Sequence, residues 1–174
     1  MRVIGDRATF AFEIVSWDKK SGLSDLYMVV DGHRVSDGNP VFWSTFVGYL
    51  VSRARFLKSH RGRYCFPPMS HEDAFHILHG IFTSETNSHN FISLADYGYY
   101  TLPALDTAID DWKIYIYDSD DWTTKSIVCR ERDDIPERTT SGEIYGVTVS
   151  REEFFRTISE LAKAFDQPGV DDKG

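Results

Sequence analysis

Residues 110–122 read Asp-Asp-Trp-Lys-Ile-Tyr-Ile-Tyr-Asp-Ser-Asp-Asp-Trp. From Trp112 to Tyr117, apolar residues alternate with tyrosines and one lysine, which is the period-2 pattern of a β-strand with one buried face. A second apolar segment at 125–131 follows after a charged turn, and a third lies at 143–149. The pattern predicts an antiparallel hairpin with one more strand beside it.

The N-terminal third of the sequence predicts a second group of strands. Apolar alternation at 9–15 and 23–30 indicates two strands, and residues 33–35 form a short third. Asp31-Gly32 between the last two is a hairpin signal, because a type I′ turn needs positive φ at both central residues.

Three helices complete the predicted fold. The first runs from Val41 to about Lys58, after a start signal at Asn39-Pro40; the second follows Ser70 and runs to about Phe82. The third follows Ser150, which forms a capping box with Glu153. Its apolar stripe comprises Phe154, Phe155, Ile158, Leu161, Ala162 and Phe165. We therefore predict a single α+β domain over residues 1–165, with a mostly antiparallel sheet, about three helices packed on it and a flexible tail at 166–174. Residues 85–101 give no clear assignment.

Composition limits the classes of partner. The 174 residues carry 19 basic and 27 acidic side chains, a net charge of −8, which disfavours nucleic acid as the primary ligand and favours a cationic protein. No segment reaches the roughly 20 apolar residues of a membrane span, and the first residues lack a signal-peptide core. With only two cysteines, Cys65 and Cys129, we expect a cytoplasmic protein with reduced, buried thiols. We also expect a monomer or weak dimer.

The aromatic and acidic residues around the first hairpin form the predicted partner-binding site. Carboxylates crowd both ends of the strand at 112–117, where their mutual repulsion favours either full solvation or a basic partner. Tyrosine and tryptophan beside them are typical interface anchors. The predicted partner-binding residues are Asp110, Asp111, Tyr115, Tyr117, Asp118, Asp120, Asp121 and Trp122.

The sequence offers no clear equipment for catalysis. It contains no nucleophile elbow, phosphate-binding loop or dinucleotide fingerprint. His71 and His76 are five residues apart, one too many for a zincin-type zinc site on a helix. Glu72, His76 and His79 share the polar face of the second predicted helix, with apolar residues such as Ala74, Ile77 and Leu78 opposite. We therefore predict no catalytic residue, no metal ligand and no cofactor; a small metal-dependent enzyme using that polar face is the alternative.

A second alternative rests on the basic stretch of residues 53–63. Arg53, Arg55, Lys58, Arg61 and Arg63 follow one another without an intervening acid, as in a nucleic-acid patch. Cations in the last turn of a helix also stabilise the negative end of its dipole. An adaptor linked to nucleic acid and a purely structural role are both open at this point.

Several short strings resemble a known family. Ile4-Gly5-Asp6 followed by Phe10-Ala11-Phe12-Glu13-Ile14 resembles the start of bacterial immunity proteins of polymorphic toxin and contact-dependent inhibition systems, in particular the immunity protein 42 family. Residues 110–116 and 127–130 are similar to that family's later hairpin, and the Phe154-Phe155 helix also fits. The resemblance implies a non-enzymatic protein that binds and neutralises a cognate toxin domain in the cytoplasm. It carries no residue-level binding site.

Overall fold

A computed structural model describes residues 1–36, 38–59, 68–83, 112–132 and 142–171 of the chain. The described residues form three helices and eight strands in two antiparallel sheets, which confirms the predicted α+β class. The strands are β1 (Arg2–Gly5), β2 (Phe10–Asp18), β3 (Leu23–Val30), β4 (His33–Val35), β5 (Val41–Phe42), β6 (Trp112–Asp118), β7 (Thr124–Glu131) and β8 (Ile144–Ser150). The helices are α1 (Trp43–Ser59), α2 (His71–Thr83) and α3 (Arg151–Ala164).

The N-terminal sheet has the order β1-β2-β3-β4, and β5 pairs with the start of β3. The turn between β3 and β4 has φ of 52° at Asp31 and 76° at Gly32, as the Asp-Gly signal predicts. Two features of this sheet differ from the prediction. Strand β1 was not predicted from the sequence. Val41 and Phe42, predicted as the start of the first helix, instead form β5 and pair with Ser24 and Leu23, so α1 begins only at Trp43.

Helix α3 closes the core between the two sheets. Ser150 Oγ accepts a hydrogen bond from Glu153 N at 3.0 Å, which confirms the predicted cap. All six residues of the predicted apolar stripe are buried. The ring of Phe154 stacks on that of Phe10 in β2, with centroids 5.4 Å apart, so the last helix covers the first long strand.

Helix α2 packs on one face of the C-terminal sheet, which has the order β6-β7-β8. A Cβ added at Gly146 of β8 would lie 2.5 Å from His71 Cβ, so glycine there permits the close approach of the helix. Ala74, Phe75 and Leu78 are buried, but Ile77, predicted to lie on the same apolar face, is 42% exposed.

The segment after α3, predicted as a flexible tail, contacts both α1 and α3 in the structure. Val170 is buried, and its backbone N donates to Ser159 Oγ at 3.0 Å. Arg55 Nη2 donates to Gly169 O at 2.9 Å, and Lys58 pairs with Asp171. Residues 172–174 lie outside the described part of the chain.

Candidate functional site at the turn between β6 and β7

Apart from the exposed Lys113, every side chain of strand β6 is buried, which corrects the prediction that its tyrosines form an exposed surface. Tyr115 and Tyr117 are only 3% and 5% exposed. Helix α2 covers this face: His79 Nδ1 lies 2.9 Å from the Tyr115 hydroxyl, and the Phe75 ring packs edge-on against Tyr115 at 5.4 Å. Tyr115 is therefore a packing residue rather than an interface anchor.

Asp118 also lies in the interior. Its Oδ2 accepts a hydrogen bond from Lys125 Nζ at 2.8 Å, and its Oδ1 accepts one from Arg151 Nη1 at 2.6 Å. Both Asp118 and Lys125 side chains have no exposed surface. Burial lowers the pKa of Lys125 to about 8, although the Asp118 carboxylate opposes that shift. This triad, in which only Arg151 is partly exposed, joins β6, β7 and α3, so Asp118 has a structural role in place of the predicted surface role.

The turn that follows, residues 119–123, is the exposed part of the predicted site. Asp121 fixes it: Oδ1 accepts from Ser119 Oγ at 2.5 Å, from Thr123 N at 2.9 Å and from Thr123 Oγ1 at 2.8 Å. These hydrogen bonds, that of Ser119 first, hold the pKa of the exposed Asp121 carboxyl below its usual value. Trp122 N donates to Ser119 O at 3.0 Å and closes the turn.

Two further residues of this turn reach the surface. Trp122 is partly exposed and has a φ of 61°, a left-handed conformation that is uncommon for a bulky residue. Asp120 is exposed and has no hydrogen-bond or ion-pair partner among the described residues. The first residue of α3 also stabilises the turn, because Arg151 N donates a hydrogen bond to Thr123 O at 3.0 Å.

An open groove of about 280 Å³ lies beside this turn, and we call it the Asp120 groove. Pro68 and Met69, which precede α2, form one wall. The other wall consists of Asp120 and five hydroxyl-bearing side chains: Tyr117, Ser119, Thr124, Ser126 and Thr148.

The hydroxyls at the base of the Asp120 groove form a connected network. Tyr117, Ser126 and Thr148 are cross-strand neighbours in β6, β7 and β8. Ser126 Oγ lies 2.7 Å from Thr148 Oγ1, and His71 Nε2 lies 3.1 Å from Thr148 Oγ1. Burial lowers the pKa of His71, which keeps the imidazole neutral near pH 7.

The three candidate metal ligands on α2, Glu72, His76 and His79, do not come together at one position. His76 and Glu72 form an exposed pair at 4.0 Å, whereas the His79 ring stacks on Phe75 and contacts Tyr115. Within the described ranges, no three His, Cys, Asp or Glu side chains are grouped closely enough to hold a metal ion.

The described part of the basic stretch makes intramolecular contacts. Arg53 lies over the ring of Phe56, while Arg55 and Lys58 bind the segment after α3. Arg61 and Arg63 lie outside the described residues, as do Asp110, Asp111 and Cys65. Cys129 is a buried free thiol, as predicted, and burial raises its pKa.

Comparison of the chain with protein-family models, curated proteins and solved structures gives no match. Of the helices in the described ranges, none has the length and apolar character required to cross a membrane.

Proposed function

We propose that this protein is an immunity protein that binds a basic toxin domain in the cytoplasm and neutralises it by association rather than by catalysis. The resemblance to the immunity protein 42 family motivates the proposal. The observation that carries it is the 119–123 turn, in which Asp121 fixes the backbone while Asp120 and Trp122 lie at the surface.

A turn of this kind suits protein recognition. Because its backbone is already held by hydrogen bonds, binding costs less conformational entropy than it would in a disordered loop. An exposed carboxylate accelerates encounter with a cationic partner, and the net charge of −8 acts in the same direction. A partly exposed tryptophan supplies contact area of the kind that slows dissociation.

A nuclease is the kind of toxin that we favour. Enzymes that act on phosphate backbones carry cationic surfaces, which an acidic protein complements. An immunity protein of this kind would need neither a cofactor nor nucleic acid for binding.

The first experiment tests the class of protein. The variable C-terminal domain of a large secreted protein encoded beside this gene is expressed in bacteria with and without this chain. We expect growth arrest by the domain alone, rescue on co-expression, and a stable complex between the purified proteins. A toxic neighbouring domain that neither binds this chain nor is neutralised by it would refute the proposal.

The second experiment tests the surface. Asp120→Asn should slow association, most strongly at low salt, because it removes charge and preserves shape. Trp122→Asn should mainly speed dissociation, and asparagine tolerates the left-handed backbone that this position requires. Asp6→Asn is the matched control, since Asp6 is an exposed turn aspartate of the N-terminal sheet whose Oδ1 accepts from Ala8 N. Equal association rates for the Asp120→Asn and Asp6→Asn variants would show that the interface lies elsewhere.

A further inference from the structure

The Asp120 groove has a definite charge character. Of the described residues that line it, Asp120 alone is charged. Burial raises the pKa of Tyr117, so its hydroxyl stays protonated at neutral pH, and His71 behind Thr148 stays neutral. In the part of the groove that the described residues form, the surface therefore presents one negative charge among neutral, hydroxyl-rich side chains.

Lys125 and Arg151, the two cations that pair with Asp118, lie on the other side of the sheet. Side chains of a strand alternate between the two faces, so Tyr117 and Ser126 lie on the face of the groove, while Asp118 and Lys125 lie on the opposite face. Because Lys125 and Arg151 already pair with Asp118 there, they do not supply a counter-charge to Asp120.

The hydroxyl network leaves acceptor capacity inside the groove. Each hydroxyl oxygen has two lone pairs and one proton. Ser126 Oγ contacts Thr148 Oγ1, which also contacts His71 Nε2. Ser126 Oγ therefore keeps at least one lone pair, and Thr148 Oγ1 keeps one when it donates its proton to either neighbour, so both oxygens are suited to accept hydrogen bonds from a group rich in N–H donors.

The opposite wall is suited to a long aliphatic stem. Pro68 and Met69 present apolar surface, and methionine adapts its shape readily to a partner. A lysine or arginine side chain combines such a stem with a cationic head that carries three or five N–H donors.

We infer that the Asp120 groove is the receptor for one basic side chain of the bound protein, an arginine or a lysine. Its head pairs with Asp120 and donates to the hydroxyls of Ser126 and Thr148, while its stem packs along Pro68 and Met69. This inference rests on the proposed function and adds to it the site and the chemical class of the contact.

The test uses the purified full chain and no toxin. N-acetyl-arginine amide and N-acetyl-lysine amide are titrated into ¹⁵N-labelled protein at constant low ionic strength, with N-acetyl-glutamine amide as the neutral control. We expect saturable amide shifts at Ser119, Thr124, Ser126 and Thr148 with the cationic probes, and the relative affinity of the two probes identifies the preferred head group. Asp120→Asn should weaken binding about fivefold, as expected for an exposed ion pair, whereas Asp6→Asn should leave it unchanged.

Thr148→Val provides a second variant that retains Asp120. It removes a hydroxyl at constant shape, so it should weaken binding of both cationic probes if the network accepts their N–H groups. The inference is overturned if no saturable shift at these residues appears up to about 100 mM of either cationic probe, or if the neutral probe shifts the same amides equally. Binding of the probes without neutralisation of the toxin would instead refute the proposed function alone.

Discussion

Removing the charge of Asp118 should be among the most destabilising polar substitutions in this protein. Asp118→Asn preserves the side-chain shape but withdraws the carboxylate that binds Lys125 Nζ at 2.8 Å and Arg151 Nη1 at 2.6 Å. Two cations then remain beside a neutral amide, and Lys125 has no exposed surface through which water can compensate.

The magnitude follows from the two partners. Lys125 can respond by releasing its proton, and because its pKa is about 8, that release at pH 7 costs about 1.4 kcal/mol. Arg151 cannot deprotonate and loses a charge-assisted hydrogen bond worth about 1.5–3 kcal/mol. We therefore expect a loss of about 3–4 kcal/mol in the free energy of unfolding, in line with the cost of breaking other buried pairs.

Urea unfolding at pH 7, followed by tryptophan fluorescence, measures this loss, since the chain contains four tryptophans. Lys125→Met is the matched control. It removes the buried ammonium but keeps the Asp118–Arg151 pair, so its change should stay below about 1.5 kcal/mol. A loss under about 1 kcal/mol for Asp118→Asn, or equal losses for both variants, would refute the assignment of Asp118 as the anion that holds the triad together.

Three further predictions concern the stability of the sheets and helices that hold the site. The pKa of Lys125 is about 8 in the folded state and near 10.5 in the unfolded chain, so the folded state binds fewer protons between these values. The free energy of unfolding of the wild type should therefore rise by about 1.6 kcal/mol relative to that of Lys125→Met from pH 8 to pH 9.5. Urea unfolding at each pH measures this difference, and a constant difference between the two proteins would contradict the prediction. Gly146→Ala should lower the free energy of unfolding by about 1–3 kcal/mol, because the new Cβ would lie 2.5 Å from His71 Cβ. Gly80→Ala in α2 should raise it by about 0.5–1 kcal/mol, because nothing lies within 4 Å of the added Cβ. Thermal unfolding of both variants compares them directly. Phe154→Ala should cost about 3–5 kcal/mol, as expected for a fully buried ring, and a loss under about 1 kcal/mol in urea unfolding would show that α3 is peripheral.

Local signals in the sequence predict most of the described elements. The capping box at Ser150 and the Asp31-Gly32 turn are formed by residues close together in the chain, and both are found in the structure. The Asn39-Pro40 signal places the start of α1 too early, because Val41 and Phe42 instead pair with β3, a contact that no local pattern contains.

The candidate site was harder to predict because burial of a strand face depends on distant elements. Alternation identifies β6 but cannot show that α2 covers Tyr115. The pairing of Asp118 with Lys125 can be inferred from the sequence, since a hairpin in which residues 120–123 connect Ser119 to Thr124 places Asp118 and Lys125 opposite each other. The contact of Arg151 with Asp118 cannot be predicted from the hairpin alone, because Arg151 belongs to α3.

The stacking of Phe154 on Phe10 has a consequence for how the chain folds as it is made. The strands of the N-terminal sheet emerge from the ribosome before the helix that covers the Phe10 face, because about 140 residues separate Phe10 from Phe154. At about 5–20 residues per second, synthesis leaves that face uncovered for roughly 7–30 s. During this interval the uncovered Phe10 face makes the nascent chain prone to aggregation. A translation product that stops before α3 lacks the helix that covers this face.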